Sequence, residues 1–163
     1  KLCREIASQQ LACKAADAIF SRFEALFPNK KITPKNVIKT PHEVLRSVGL
    51  SNAKARYIRN IAEAVESKLL RFHDLHLMED EEVVEHLIQI KGIGRWTAEM
   101  FLMFTLGREN VFSHGDLGLR NAMKKLYKFR KEPTRDHIEK IVKKWSPYKT
   151  YASLALWKSL DNR

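Results

Sequence analysis

Apolar residues return every three to five positions through nearly every segment of this 163-residue chain, and no run alternates convincingly at the period of two that a half-buried strand needs. Helices packed stripe against stripe satisfy that pattern, so the predicted fold class is all-α, with about eight to ten helices and no internal repeat. Leu2, Ile6, Leu11, Ala15, Ile19, Phe23 and Leu26 describe one long amphipathic helix, straight or kinked, which Pro28 closes. In "TPHEVLRSVGL", Thr40 before Pro41 marks a helix start and Gly49 its stop. Ser51 caps "NAKARYIRNIAEAVESKLL", with Ala55, Ile58, Ile61, Ala62 and Val65 as the buried face. "EDEEVVEHLIQI" carries its acids in the first turn, where the helix dipole favours them. "RWTAEMFLMFTL" is apolar almost all the way round and is predicted as the central buried helix. "DLGLRNAMKKLY", "TRDHIEKIVKKW" (capped by Thr134) and "YKTYASLALWKSL" complete the set, with "ENVFSHG" as a loop.

At 44% apolar residues, a chain of this length can bury one substantial core, or two small helical lobes that share one. With 30% charged residues and "MFLMFTL" among its longest apolar runs, it is expected to be soluble, with no membrane partner and no signal peptide. It opens at Lys1 already in amphipathic register, so it is read as a fragment whose first residues are missing. Thirty Lys and Arg against nineteen Asp and Glu give a net charge of +11. Clustered Lys and Arg bind phosphates by releasing condensed counterions, so the bias points to a polyanionic partner; a basic surface without a specific ligand is the alternative. Cys3 and Cys13 are too few for a disulfide framework, a zinc site or an iron–sulfur site, and are read as reduced thiols of an intracellular protein.

Two glycines one residue apart in "IKGIGRWTAEM" interrupt the helical pattern at one place. A K-G-I-G hairpin between two helices aims unpaired backbone N–H groups, including those of the next first turn, at one point in space, and such a point attracts anions. Ile93 would plug the hairpin into the core, while Lys91 and Arg95 would add positive charge. A tight helix-to-helix turn with glycines for steric reasons alone explains the same residues.

"LIQIKGIGRWTAEMFLMFTLGRENVFSHGDLGLR" resembles the helix-hairpin-helix, loop and Asp of the helix-hairpin-helix (HhH-GPD) superfamily of DNA glycosylases. Within that superfamily the chain is most similar to the 3-methyladenine DNA glycosylase II, or alkylpurine, branch of bacteria and yeasts. "SQQLACKAA", "GLSNAKARYIRNIA" and "WSPYKTYASLALWK" stand in the same order as the family's other landmarks, so the resemblance covers essentially residues 1–163 as one domain, with the hairpin motif at about 80–105.

The resemblance implies a two-lobed helical fold with DNA and the base pocket between the lobes. It implies a monofunctional hydrolase that flips alkylated purines of the 3-methyladenine type out of duplex DNA and breaks their glycosidic bond, initiating base excision repair. Gly92, Gly94 and Thr97 would hold a backbone phosphate, with Lys91 and Arg95 beside it. Carbonyls of Ile88 and Ile90 would accept an optional Na or K ion, and no cofactor is required. Asp116 falls at the catalytic carboxylate, Leu11 after Gln10 at the wedge that fills the vacated stack, and Trp96 and Trp157 at the base pocket. Without the resemblance, Asp116 reads as a helix cap, and Trp96, Trp157 and Leu11 read as core. Bifunctional relatives carry a Lys nucleophile where this chain has Trp96, so no lyase activity is expected. Ser113, His114 and Gly115 depart from the common loop, as do Ala12 and Cys13, which keeps open an attenuated or inactive homologue that binds abasic or distorted DNA. The expected partners are damaged or abasic duplex DNA and downstream base excision repair enzymes; the expected state is a monomer, nuclear, or cytoplasmic if the source is bacterial.

Overall fold

The structure, a computed structural model, describes residues 1–9, 11 and 13–161. It is built from helices throughout; no strand forms among the described residues. Eleven α-helices are present there, more than the eight to ten expected, because the first predicted helix divides and short helices form at Pro34–Lys39 and Phe72–Leu75, where no helix was singled out. The chain separates into two units, Lys1–Phe101 and Leu102–Arg163.

The first unit contains α1 Leu2–Ser8, α2 Cys13–Ala25, α3 Pro34–Lys39, α4 His42–Ser47, α5 Asn52–Glu66, α6 Phe72–Leu75, α7 Asp80–Ile88 and α8 Arg95–Phe101. The single long helix expected over residues 2–27 is in fact two. The break shifts the phase of the buried stripe, so Ala16, Phe20, Phe23 and Phe27 are buried, whereas Ala15 and Leu11 are exposed. Phe23 is fully buried, 5.2 Å from the ring of Phe27 in an edge-on contact, and truncation to Ala should cost about 3–5 kcal/mol.

A second correction concerns the Thr-Pro start signal. It operates at Thr33, whose hydroxyl accepts from the Asn36 N–H at 3.3 Å with Pro34 in the first turn of α3. At Thr40 the hydroxyl instead donates to the Asn36 carbonyl at the end of α3, and α4 begins without a side-chain cap. Ser51 caps α5 as expected, accepting from the Lys54 N–H at 3.2 Å. Ala64 joins the buried face of α5, and Val65 is only half-buried. At the start of α7, Glu79 and Glu82 form a capping box, and α5 packs on α1, α3 and α4 while α8 packs on α1 and α7.

The second unit begins with a π-helical turn, Leu102–Leu106, and continues through α9 Leu117–Leu126, α10 Arg135–Val142 and α11 Lys149–Asp161. "ENVFSHG" is the loop expected. Leu119, Ala122 and Met123 of α9 pack with Ile138 and Val142 of α10, Leu156 of α11 and Phe112 of the loop. Each large aliphatic side chain buried this way contributes about 1.5–3 kcal/mol. Thr150, at the start of α11, locks the loop to this core. Its N–H donates to the Glu109 carbonyl at 2.8 Å, its hydroxyl donates to the Arg108 carbonyl at 2.7 Å, and that same oxygen accepts from the Val111 N–H at 3.1 Å.

Candidate functional site

The hairpin between α7 and α8 is held from inside the first unit. Ile93 is 4% exposed and plugs into the core, and its N–H closes the turn on the Ile90 carbonyl at 2.9 Å. Gly92 has φ +110, and a Cβ there would meet the Tyr57 ring at 2.1 Å. The close approach is therefore internal: α5 presses an aromatic ring against the hairpin backbone. Asn60, one turn further along α5, donates to the Lys91 carbonyl at 2.8 Å. Gly94 differs, because a Cβ there would meet nothing within 4 Å. Its carbonyl accepts from the Ala98 N–H at 3.0 Å, which starts α8 and leaves the N–H groups of Arg95, Trp96 and Thr97 outside the helical ladder. Unpaired backbone N–H groups on an open face are the kind of donors that anion sites use.

Lys91 is exposed, as expected. Arg95 is engaged: its guanidinium forms a two-pronged pair with Glu81, one prong at 3.1 Å, and lies 3.8 Å from Glu99. The hydrogen bond to Arg95 lowers the Glu81 pKa, and the same bond raises that of Arg95. The added positive charge predicted at Arg95, also exposed, is thus matched by carboxylates, whereas Lys91 forms no ion pair among the described residues. Ile88 closes α7 and Ile90 supplies the turn carbonyl. Carbonyl oxygens at a helix end suit a hard monovalent cation, whose ligands are oxygens with lone pairs to spare.

The turn between α1 and α2 stands beside the hairpin helix. Gln9 donates from Nε2 to Thr97 Oγ1 at 2.9 Å, and Lys54 donates from Nζ to the carbonyls of Ala7 and Gln9 at 2.8 and 2.7 Å. These bonds satisfy the end of α1 and force the break after it. Burial lowers the Lys54 pKa. Leu11, in the turn so formed, is 40% exposed and does not belong to the buried stripe. Gln10 and Ala12 lie outside the described residues. Thr97 is 2% exposed, so its side chain serves the Gln9 contact and its backbone N–H is what the hairpin offers. Trp96 is half-buried on α8.

In the second unit, Asp116 is both the cap and the candidate carboxylate. Its Oδ1 accepts from the Leu119 N–H at 2.7 Å and from the Trp157 indole N–H at 3.0 Å, in a position only 8% exposed. Two donors on one oxygen fix the plane of the carboxylate. Trp157, half-buried, lies 6.0 Å from the Phe104 ring and so has an aromatic neighbour as well as its bond to Asp116. The close packing needs Gly118, where a Cβ would sit 3.1 Å from Asp116 Oδ1 and 3.2 Å from the Trp157 ring. The loop ahead of Asp116 is tied to α10 by His114, whose Nε2–H donates to Glu139 at 2.8 Å. Desolvation by burial lowers the His114 pKa despite the opposing pull of Glu139.

Sequence reasoning placed the hairpin glycines, Thr97, Lys91, Leu11, Asp116 and Trp157, and the structure groups them within each unit as described. It missed Tyr57, Asn60, Lys54, Gln9, Gly118 and Glu139. Of these, all but Glu139 carried a signal, as parts of landmarks whose internal contacts were unknown. No group of three or more His, Cys, Asp or Glu among the described residues could hold a metal ion.

Residues 3–147 match the model of the HhH-GPD superfamily of base excision DNA repair proteins. The chain is 40% identical over 161 residues to DNA-3-methyladenine glycosylase 1 of Schizosaccharomyces pombe, covering 98% of this chain and 71% of that protein. The solved structure of the 3-methyladenine DNA glycosylase Mag1 from the same yeast, in complex with abasic DNA, is similar with a TM-score of 0.89, covering 96% of this chain and 77% of that one. DNA-3-methyladenine glycosidase from Bacillus halodurans is similar with a TM-score of 0.85 at 44% identity, covering 97% of this chain and 73% of that one. With its capped Asp116, its K-G-I-G hairpin and a match over nearly its whole length, the chain belongs to the HhH-GPD superfamily of base excision DNA repair proteins.

Proposed function

We propose that this chain is a monofunctional DNA glycosylase that releases alkylated purines of the 3-methyladenine type from duplex DNA, and the observation that carries the reading is the buried, doubly anchored carboxylate of Asp116. A base inside a duplex is out of reach, so it must be extruded, at a cost of a few kcal/mol of stacking. The hairpin face at Gly92 and Gly94 supplies phosphate contacts that offset part of that cost, and exposed Leu11 supplies the wedge. A Na or K ion on the Ile88 and Ile90 carbonyls would add positive charge at the same phosphate.

An alkylated purine carries positive charge and is already a good leaving group. Aromatic faces attract such a base, and Trp157, bonded to Asp116, offers one. As the glycosidic bond breaks, positive charge develops on the sugar, and a carboxylate already fixed in place stabilises it without reorganising. The same group then orients or deprotonates the attacking water. With Trp96 at the position of the lyase nucleophile, no amine is available for a Schiff base.

The test is single-turnover release of free bases from methylated duplex DNA, with binding to an abasic-site duplex measured in parallel. Asp116→Asn should lower release by at least about 100-fold while abasic binding stays within a few-fold. Release that persists in the variant would remove Asp116 from the chemistry. Tight abasic binding by the wild-type chain with no release of any base would make it a damage-recognition protein instead.

A further inference from the structure

The net charge is unevenly divided. Residues 102–163 hold fourteen Lys and Arg against six Asp and Glu, whereas residues 1–101 hold sixteen against thirteen. Within the second unit the excess peaks in "KKLYKFRK", Lys124 to Lys131, with five cations and no carboxylate in eight residues. Lys124 pairs with Glu132 at 3.3 Å, and Arg120 takes the other oxygen of that carboxylate at 2.7 Å. Lys125, Lys128, Arg130 and Lys131 are exposed, and among the described residues none of them forms an ion pair.

The backbone of this segment is fixed. The Lys128 N–H donates to the Lys125 carbonyl at 3.3 Å and the Phe129 N–H to the Lys124 carbonyl at 3.0 Å, which is the double closure of a left-handed helix end. The left-handed residue is Lys128, φ +53, at a position where glycine would be easier. The rings of Tyr127 and Phe129 stack 6.0 Å apart at 25°, bracketing Lys128. The helix dipole accounts for cations in the last turn of α9, but its influence fades within a turn and does not reach Arg130 and Lys131.

We infer that the turn from Lys125 to Lys131 is a second phosphate-binding surface, separate from the hairpin, which grips the sugar-phosphate backbone of duplex DNA. Four exposed cations without ion pairs, held on one hydrogen-bonded turn, offer phosphate oxygens several donors at once, and the paired rings, stacked on each other, serve to stiffen the array. Backbone contacts of this kind add affinity and positioning without reading sequence or lesion. The inference needs duplex binding but not the catalytic role of Asp116.

The experiment is equilibrium binding to a long undamaged duplex and to the same duplex with one abasic site, across a salt series. The test variant combines Lys125→Gln, Lys128→Asn, Arg130→Gln and Lys131→Gln, with Asn chosen because it tolerates the left-handed conformation. A control, Lys30→Gln, Lys31→Gln, Lys35→Gln and Lys39→Gln, removes the same charge from the first unit. The plot of log affinity against log salt should become shallower by about two to four in the test variant, at roughly 0.9 per lost phosphate contact, and by less than about one in the control. Preference for the abasic duplex, and base release at saturating protein, should stay as in wild type. Arg130→Gln with Lys131→Gln alone should give about half the change, which guards against misfolding of the larger variant. An unchanged slope, or an equal loss in the control, overturns the inference. Gly94→Asp, run beside them, separates the two readings: a binding loss there with none in the turn variant sinks the second surface and leaves the hairpin standing.

Discussion

Two of the donors that reach Asp116, the Leu119 N–H and the Trp157 indole N–H, converge on one oxygen, Oδ1, so the helix cap and the proposed catalytic carboxylate are one group. That geometry depends on a neighbour with no side chain. Gly118 lies inside α9 with no positive φ, so alanine there would be favoured by helix propensity by about 1 kcal/mol. Its methyl group, however, would press on Asp116 Oδ1 and on the Trp157 ring at 3.1–3.2 Å. Gly118→Ala should therefore leave stability within about 1 kcal/mol of wild type and slow base release by about tenfold or more, since small misplacements of reacting groups are costly. Thermal unfolding beside single-turnover release checks it; an unaltered rate would show that the Trp157 contact does not set the carboxylate. The cap role of Asp116 was legible in the sequence because an Asp ahead of an apolar-periodic run is a local cap signal. Its bond to Trp157 was not, since the partner lies 41 positions away and meets it only through the packing of α9 on α11.

Hairpin and helices show the same division between local and distant causes. The Ser51 and Thr134 caps were readable because each acts within three residues. The division of the first helix was not, because Lys54 and Thr97 impose it from other elements. The Thr-Pro signal misled for a related reason: Thr33 and Thr40 present the same dipeptide, and only the end of α3 decides which hydroxyl caps. The two hairpin glycines, alike in sequence, have separable duties. Gly92→Ala forces a methyl group into Tyr57 at φ +110, and should cost more than about 2 kcal/mol of stability. Gly94→Ala meets open space, and at a helix start alanine costs about 0.5–1 kcal/mol against glycine, well below the cost at Gly92. It should leave the melting temperature near wild type yet weaken binding to damaged and intact duplex alike, because the methyl group would stand where a phosphate approaches. Melting curves and duplex titrations on the two variants give a crossed result if this holds; parallel losses in both assays would assign both glycines to folding alone.

For the molecule as a whole, pH should act through a histidine that the sequence marked as a departure and the structure ties to α10. His114 donates to Glu139, while its Nδ1 is buried with no hydrogen-bond partner. A second proton would place an N–H on that atom with no acceptor. Burial is the main cause that lowers its pKa below 6.5; Glu139 pulls the other way, and Arg135 and Lys149 add to the lowering. The unfolded chain therefore binds this proton more readily than the folded one. Stability from this group is fully present above pH 6.5 and is lost as pH falls through the lower folded value. Melting temperatures measured from pH 7.5 down to pH 5 should thus fall more steeply for wild type than for His114→Gln, which carries no titrating ring. Glu139→Gln weakens the one influence that favours the charged ring, so it should make the acid loss larger and extend it to lower pH, with the onset near pH 6.5 unmoved. Matching slopes in wild type and His114→Gln would mean that carboxylates elsewhere govern the acid limb and that the loop ahead of Asp116 does not sense pH.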